Sequence, residues 1–314
     1  SPSGSPAKRE PIVGREREIE LLTARLASAM SGESQVVLLS GETGIGKTRV
    51  LDEIAAIAST RSSSAGPLLV LRASFAEEHH ALPYQGFADL LASYFRGRSG
   101  AGSALSGELA EIAPDLIALF PALSDIDSLR VAASSSGAQT SSASRSSSQT
   151  EGDRTRAFET LARALVRIAA GRVLVLLLDD LHASAASSEA LQYIALRLAS
   201  GSTFILGAYT DTDIDRTHPI RKLEAGMKSS RRFAAIALQR LAREDQRALI
   251  EAFALEEPSL RDRVKSVDGP LADRLHEVTE GNPFVTREML RSLVEAGTIA
   301  VDETGTLSFS GAEG

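Results

Sequence analysis

Residues 35–58 read QVVLLS, GETGIGKT and RVLDEIAAIA in direct succession: an apolar run, a glycine-rich loop and an amphipathic run. The apolar run is short and rich in valine and leucine, which predicts a buried strand. The amphipathic run places Val50, Ile54 and Ile57 on one face, which predicts a helix. A strand that leads through a glycine-rich loop into a helix is typical of a parallel α/β sheet.

The loop itself, Gly41–Thr48, matches the pattern G-x-x-x-x-G-K-[ST]. Its glycines let the backbone curl so that successive N–H groups point at phosphate oxygens, and the helix N-terminus adds a favourable partial positive charge. We expect Lys47 to contact the β- and γ-phosphates and to act in catalysis, and the Thr48 hydroxyl to hold Mg²⁺. An incidental glycine-rich turn is the alternative, and the flanking strand and helix patterns disfavour it. The expected phosphate-binding residues are Gly41, Glu42, Thr43, Gly44, Ile45, Gly46, Lys47, Thr48 and Arg49.

Composition narrows the classes of function. The 314 residues carry 34 basic and 41 acidic side chains, and a net charge of −7 argues against a chain-wide nucleic-acid surface, though not against a local basic patch. The absence of cysteine excludes disulfides, thiolate metal sites and a cysteine nucleophile. Apolar runs are too short for a membrane span and residues 1–6 lack the apolar core of a signal peptide, so we expect a cytoplasmic location.

Lysine is scarce in this chain, with five among the 34 basic residues. Lys47 is the single lysine between Lys8 and Lys222. Either base composition produced this distribution by chance, or the loop requires a compact ammonium group.

A second apolar run, residues 173–180 (VLVLLLDD), predicts a strand that ends in two carboxylates. Ligands of open α/β sheets bind at the carboxyl ends of the strands. We expect Asp179 to bind Mg²⁺ directly or through water, and Asp180 to orient or deprotonate an attacking water. Solvated, helix-capping aspartates are the alternative. A further strand at 68–71 intervenes, which favours the ATPase branch whose catalytic strand does not directly follow the phosphate-loop strand.

The rest of the pattern predicts a P-loop NTPase fold of the α/β class, with a parallel sheet, helices on both of its faces and a C-terminal helical lid. Further strands are predicted at 204–208 and 233–237, and the pattern from Arg243 to about Ala296 is helical. The serine-rich residues 132–150 are expected to form a disordered loop. The expected divisions are a flexible tail (1–10), an ATPase core (11–238), a helical lid (239–297) and a short β-hairpin that starts a following module (298–314).

With these residues in place, the chain resembles the origin-recognition-complex-like AAA modules of the AAA+ ATPases, which lie with or next to the STAND class of switch ATPases. The resemblance covers roughly residues 11–300 and rests on the order and spacing of short motifs. Besides the phosphate loop, these motifs are Pro11–Glu16 (PIVGRE), Leu82–Phe87 (LPYQGF), Leu178–His182 (LDDLH), Gly207–Tyr209 (GAY), His218–Ile220 (HPI) and Glu280–Phe284 (EGNPF).

The resemblance implies ATP or ADP with Mg²⁺ as ligands. It implies that Val13, Gly14 and Arg15 lie near the adenine, and that residues 281–284, Pro283 among them, close over the nucleotide. Taken locally, the first segment is also a helix entry and the second a helix-breaking turn. The partners implied are other domains of the same larger protein and a protein partner or nucleotide-dependent oligomer, with no membrane and with nucleic acid not expected. The loop pattern does not distinguish ATP from GTP.

Two departures from the family pattern bear on turnover. The motif LDDLH is followed by residues 183–185 (ASA) rather than W-A-D, and Thr210 follows Tyr209 where the family usually has arginine. As a candidate catalytic residue, Thr210 can hydrogen-bond a water or a phosphate but lacks the charge that stabilises a transition state. We therefore expect a slowly hydrolysing Mg²⁺–ATP switch ATPase module of a larger signalling protein. The alternatives are a nucleotide-binding scaffold without useful turnover and an initiator-type DNA-loading ATPase.

Overall fold

The computed structural model describes residues 12–75, 84–97, 110–135 and 151–310. The chain forms two compact units. Within the described ranges, the residues of 21–40 and of 54–236 form a sheet unit, and residues 12–20, 41–53 and 237–310 form a loop unit.

The regular elements follow one another as alternating strands and helices and then as a helical segment with a small sheet. The described helices are α1 (Glu16–Met30), α2 (Lys47–Ser59), α3 (Gln85–Arg96), α4 (Ala113–Leu119), α5 (Asp127–Ser135), α6 (Glu151–Ala169), α7 (Ala185–Arg197), α8 (Pro219–Met227), α9 (Arg243–Glu256), α10 (Gly269–Thr279) and α11 (Pro283–Glu295). The described strands are β1 (Gln35–Gly41), β2 (Ser62–Ser63), β3 (Gly66–Pro67), β4 (Leu69–Ser74), β5 (Leu174–Asp179), β6 (Thr203–Thr210), β7 (Phe233–Ala237), β8 (Ser266–Val267), β9 (Ile299–Val301) and β10 (Thr306–Phe309).

A five-stranded parallel sheet with the order β4-β5-β6-β1-β7 forms the centre of the sheet unit. The register of β4 on β5 runs from Leu69 opposite Leu174 to Ser74 opposite Asp179. Helices flank the sheet, so the predicted α/β fold of the P-loop NTPase type is confirmed. Strand β6 lies between β5 and β1, an order that the succession of strands along the chain does not reveal.

Burial on both faces explains the near-continuous apolar strands. Every residue of β5 and β6 is buried. Val36 and Leu38 of β1 join one core cluster with α3 to α7, while the alternate residues Val37 and Leu39 point to the opposite face and are buried there. A strand covered on both faces has no polar side, which is why the sequence pattern is a run rather than an alternation.

In the loop unit, α9, α10 and α11 share a core that includes Phe253, Leu271 and Leu290. The predicted hairpin is present, since β9 and β10 pair antiparallel. Strand β10 also pairs parallel with β8, a strand inside the stretch that was predicted to be helical throughout. This prediction was wrong because the two residues of β8 gain their strand character from pairing with β10, which local periodicity does not register.

Three further boundaries differ from the sequence prediction. Residues 132–135, expected to open a disordered loop, complete α5, because Leu129 and Ala132 are buried in the core. Residues 62–67, which precede the predicted strand at 68–71, contain the short antiparallel pair β2 and β3, and α8 was not predicted. The tail 1–10, most of the serine-rich stretch and the start of the LPYQGF motif lie outside the described residues. Among the described helices, none is both long enough and apolar enough to cross a membrane.

Candidate nucleotide-binding site

The phosphate loop begins where β1 ends, at Gly41, and continues into α2, which begins at Lys47. Gly44 and Gly46 have φ angles of +78° and +102°, a region that side-chain-bearing residues rarely adopt. A Cβ atom on Gly44 would lie 2.7 Å from the Cβ of Phe284, whereas one on Gly46 would meet no described atom within 4 Å. The loop is thus packed tightly behind Gly44 and open beside Gly46, which fits a cradle for a phosphate group.

Five successive carbonyl groups of this loop, residues 41–45, accept hydrogen bonds. The Lys47 ammonium donates to the carbonyls of Gly41 and Glu42, at 2.9 Å each. The donors to the carbonyls of Thr43, Gly44 and Ile45 are the side-chain amide of Asn282, the backbone N–H of Phe284 and the guanidinium of Arg15, at 3.1, 3.2 and 3.1 Å. These bonds orient the peptide planes of the loop, and the opposite ends of those planes carry the N–H groups that an anion-binding nest presents.

The first turn of α2 carries the remaining loop residues of the sequence prediction. Lys47 is 7% exposed, so its ammonium is held among loop atoms rather than in bulk solvent. Thr48 is exposed and Arg49 is half-buried. Both therefore lie at the open side of a helix N-terminus, where anions are favoured.

The turn before α11 is built around Asn282. Its side-chain oxygen accepts from the backbone N–H groups of Phe284 and Val285, at 3.1 and 3.3 Å, which caps the helix. Pro283 occupies the first helical position, where its missing N–H leaves no hydrogen bond unmade. Because the Asn282 amide also bonds to Thr43, the turn contacts the phosphate loop directly through Asn282 and Phe284.

Residues 13–15 belong to the same loop unit. Gly14 has φ +65°, and a Cβ atom there would lie 2.7 Å from a carboxylate oxygen of Asp245 and 2.8 Å from Leu241. Arg15 is 4% exposed and forms an ion pair with Glu18 at 3.6 Å. Burial lowers the pKa of its guanidinium, and the nearby carboxylate of Glu18 opposes this effect. The bond to the loop carbonyl gives Arg15 a structural contact with the phosphate loop.

The side chain of Glu42 has partners that the sequence did not suggest. Its two carboxylate oxygens accept from Nε and Nη2 of Arg240, both at 2.9 Å, and one also accepts from Asn282 at 2.8 Å. The hydrogen bonds from Arg240 lower the pKa of the Glu42 carboxyl below its ordinary value. Arg240 also pairs with Glu280. In the sequence, only its position within the phosphate-loop motif indicated that Glu42 is functionally relevant. No motif or neighbouring residue identified Arg240 as its partner.

In the sheet unit, β5 ends at the acidic pair. Asp179 is 4% exposed, and one of its oxygens accepts from the backbone N–H of Asp180 at 3.2 Å. Its other oxygen lies 3.5 Å from the guanidinium of Arg72 on the neighbouring strand β4. Sequence reasoning missed Arg72, although an arginine within the otherwise apolar run LVLRA was a usable signal. Asp180 adopts the left-handed conformation, with φ 55°.

Thr210 is the last residue of the adjacent strand β6 and is buried. Its backbone N–H donates to Nδ1 of His182 at 3.3 Å, and the other ring nitrogen lies 3.5 Å from Asp213. The preceding residue, Tyr209, donates its hydroxyl to Glu224 at 2.6 Å. Burial, reinforced by Glu224, raises the pKa of that phenol. These bonds fasten the last two residues of β6, Tyr209 and Thr210.

The predicted site residues therefore divide between the units. The loop unit contains residues 13–15, residues 41–49 and Pro283, and within it the phosphate loop is contacted by Arg15 and by Asn282 and Phe284, the two neighbours of Pro283. The sheet unit places Asp179, Asp180 and Thr210 at the ends of the neighbouring strands β5 and β6.

Comparison with known proteins gives a family and a fold. A family model for the AAA ATPase domain matches residues 11–206. Among solved structures, the chain is similar to that of the Aeropyrum pernix ORC1 protein in complex with DNA, with a TM-score of 0.51 and 15% sequence identity. The match covers 92% of this chain and 61% of that chain, so this chain spans less than two thirds of the ORC1 length, and the likeness is one of fold. No curated protein matches the chain.

Proposed function

This chain belongs to the AAA ATPase domain family, and we propose that it is a Mg²⁺–ATP-binding switch module that hydrolyses ATP slowly. Family membership places the chain among nucleotide-binding P-loop ATPase domains. We propose in addition that it binds Mg²⁺, that it hydrolyses ATP slowly and that it acts as a switch. The observation that carries it is the phosphate loop, whose five successive carbonyls are held by Lys47, Asn282, Phe284 and Arg15.

Phosphate binding uses the loop N–H groups and Lys47. The ammonium of Lys47 leaves the carbonyls of Gly41 and Glu42 for the β- and γ-phosphate oxygens, exchanging two neutral acceptors for charged ones. The space beside Gly46 admits the phosphate chain. A planar guanidinium does not suit so compact a position, which accounts for a lysine in an arginine-rich chain.

Each unit contains one candidate oxygen ligand that would serve Mg²⁺, the Thr48 hydroxyl in the loop unit and the Asp179 carboxylate in the sheet unit. The described residues include no group of three or more His, Cys, Asp or Glu side chains fit to hold a metal. Magnesium bound through one or two carboxylates and nucleotide phosphates needs no such group. When bound, the ion neutralises negative charge on the phosphates. Arg72 lies 3.5 Å from Asp179, and its positive charge offsets part of the cost of burying that carboxylate.

Hydrolysis requires a water that Asp180 orients or deprotonates. The left-handed backbone of Asp180 is a strained conformation of the kind found at functional sites. Thr210 contributes a hydroxyl at the end of β6 and no positive charge, so the charge that develops on the γ-phosphate receives less stabilisation than an arginine would give. Slow turnover is the consequence.

A slow ATPase suits a switch. ATP and ADP would stabilise different positions of the segment that carries α9, α10 and α11, and so expose or cover a surface for a partner. The partner is another domain of the same larger protein, a separate protein or a second copy of this chain.

Two measurements test the proposal. Titration with a fluorescent ATP analogue and Mg²⁺ should give tight binding to the wild type and a loss of at least about 100-fold in Lys47→Ala, because several charge-assisted hydrogen bonds disappear. Lys222→Ala, an exposed lysine on α8, is the matched control and should bind as the wild type does. Equal affinity of Lys47→Ala and the wild type for the ATP analogue would refute the phosphate-binding site.

Hydrolysis is measured separately. The steady-state Mg²⁺-ATPase activity of the wild type should be low but measurable, and Asp180→Asn should lose it.

Specific observations favour two alternatives. Thr210 favours a nucleotide-binding scaffold, which tight ATP binding with a wild-type hydrolysis rate at background would support. The ORC1 structure of similar fold contains DNA, and a DNA-loading role is the second alternative. DNA binding that strengthens with ATP and weakens steeply with salt would support this DNA-loading role.

The choice between ATP and GTP is tested by competition. Displacement of the fluorescent analogue by ATP but not by GTP would establish a preference for the adenine base.

A further inference from the structure

A carboxylate in a phosphate-binding loop needs an explanation, because its negative charge opposes the binding of an anion. Glu42 lies one residue after Gly41, and its side chain is 31% exposed. Arg240 meets it with two parallel hydrogen bonds of 2.9 Å. This bidentate geometry neutralises the charge and also fixes the direction of the carboxylate.

The Glu42 carboxylate also reaches the turn before α11. The Asn282 amide donates to Glu42 at 2.8 Å and to the Thr43 carbonyl at 3.1 Å, while the Asn282 side-chain oxygen caps α11. One buried side chain thus bonds to the phosphate loop and to a helix N-terminus at once.

The two partners of Glu42 belong to segments that are themselves joined. Arg240 pairs with Glu280, and the backbone N–H of Leu241 donates to the carbonyl of Gly281 at 2.9 Å. Glu42 therefore contacts a single assembly made of residues 240–241 and 280–282 rather than two independent segments.

We propose that Glu42 is a positioning residue that couples the phosphate loop to the first turn of α11, with Arg240 and Asn282 as its partners. This inference rests on the proposed function, since it takes the loop to bind nucleotide phosphates. Through these bonds, a shift of residues 42–44 on phosphate binding displaces the α11 cap, and a shift of the cap changes the loop. Arg240 has the additional task of cancelling the Glu42 charge beside the phosphates.

A double-mutant cycle on ATP affinity separates coupling from simple loss of contacts. Arg240→Ala leaves the Glu42 charge uncompensated and should weaken binding of the fluorescent ATP analogue by about tenfold or more. Adding Glu42→Ala to Arg240→Ala removes that charge and should recover part of the loss. A double variant weaker than either single variant, or affinities equal to the wild type in all three, would overturn the proposal.

Hydrogen exchange of the nucleotide-free protein gives a readout that does not depend on the proposed function. The amides of Phe284 and Val285 are held by the Asn282 cap, and in Glu42→Ala they should exchange about tenfold faster. Arg243→Ala is the matched control, because Arg243 pairs with Asp273 in an exposed ion pair that includes neither Glu42 nor Asn282. Unchanged exchange in Glu42→Ala refutes the coupling even if ATP binds.

Two further arms complete the experiment. A wild type that binds no ATP would refute the proposed function, and the exchange measurement would still decide the coupling. Should Glu42→Ala fail to fold, Glu42→Gln keeps the side-chain shape, removes the charge and carries the same expectations with a smaller change. In Arg240→Lys, a single ammonium cannot form the bidentate pair, so the exchange of the two amides should be intermediate.

Discussion

Gly281→Ala tests whether the turn before α11 is built as the contacts indicate. Gly281 has φ +77°, and a Cβ atom there would lie 2.3 Å from the carbonyl oxygen of Leu241. An ordinary contact begins near 3.4 Å, so the two groups must separate by about 1 Å. The Leu241 segment cannot yield freely, because its own N–H donates to the Gly281 carbonyl at 2.9 Å.

The expected cost follows from three terms. A left-handed conformation costs an alanine about 1–2 kcal/mol. Overpacking against a backbone atom adds about 1–3 kcal/mol. Weakening the Leu241–Gly281 hydrogen bond adds about 1 kcal/mol. A destabilisation of about 3–6 kcal/mol is therefore expected for Gly281→Ala.

Gly297→Ala is the matched control in the same unit. Gly297 has φ +66°, and a Cβ atom there would meet no described atom within 4 Å. This variant carries the conformational term alone, partly offset by the lower entropy of its unfolded chain. The difference between the two variants, about 2–4 kcal/mol, isolates the steric and hydrogen-bond terms.

Urea and thermal unfolding followed by circular dichroism measure this difference, which should appear as a gap in Tm on the order of 5–10 °C. Gly281→Ala should also weaken ATP binding, because the displaced turn carries Asn282, whereas Gly297→Ala should not. Equal loss of stability in the two variants would refute the reasoning, since it would mean that Gly281 has no close backbone neighbour.

Further predictions concern the sheet, a helix cap and acid stability. Gly207→Ala should destabilise the protein by about 1–3 kcal/mol in urea unfolding, because its Cβ would lie 2.4 Å from a methyl group of Leu181 in the packed sheet. Ser184→Ala should cost about 1 kcal/mol by the same measurement, because the Ser184 hydroxyl caps α7. Arg240 lowers the pKa of Glu42, so this pair stabilises the fold above the ordinary carboxyl pKa of 4.5 and the stabilisation is lost as pH falls through the lowered value. Glu42→Gln should therefore show a shallower decline of Tm than the wild type from about pH 5 downward.

Most of the fold could be predicted because its strands, helices and phosphate loop correspond to short sequence patterns. Runs of valine and leucine between helical segments predicted the strands of the central sheet, and the glycine–lysine loop predicted its own position between β1 and α2. Such patterns reflect burial and backbone conformation within a few residues, so neighbouring positions suffice to recognise them. The two-residue strand β8 was not predicted, because only its pairing with β10 makes it a strand.

Side-chain partners that are distant from each other in the chain could not be predicted from local sequence patterns. The candidate phosphate and metal ligands carry recognisable local motifs, whereas Arg240 follows Glu42 by 198 residues and stands in no motif. Arg72 reaches Asp179 only because β4 pairs with β5.

Local sequence thus determined where the phosphate loop and the acidic strand end lie along the chain, since steric and hydrogen-bonding preferences of adjacent residues decide both. The tertiary structure decided which groups neutralise Glu42 and Asp179 and which donors hold the loop carbonyls. The physical reason is that a charge or a carbonyl accepts any suitably placed donor, and only the packing of distant segments selects one.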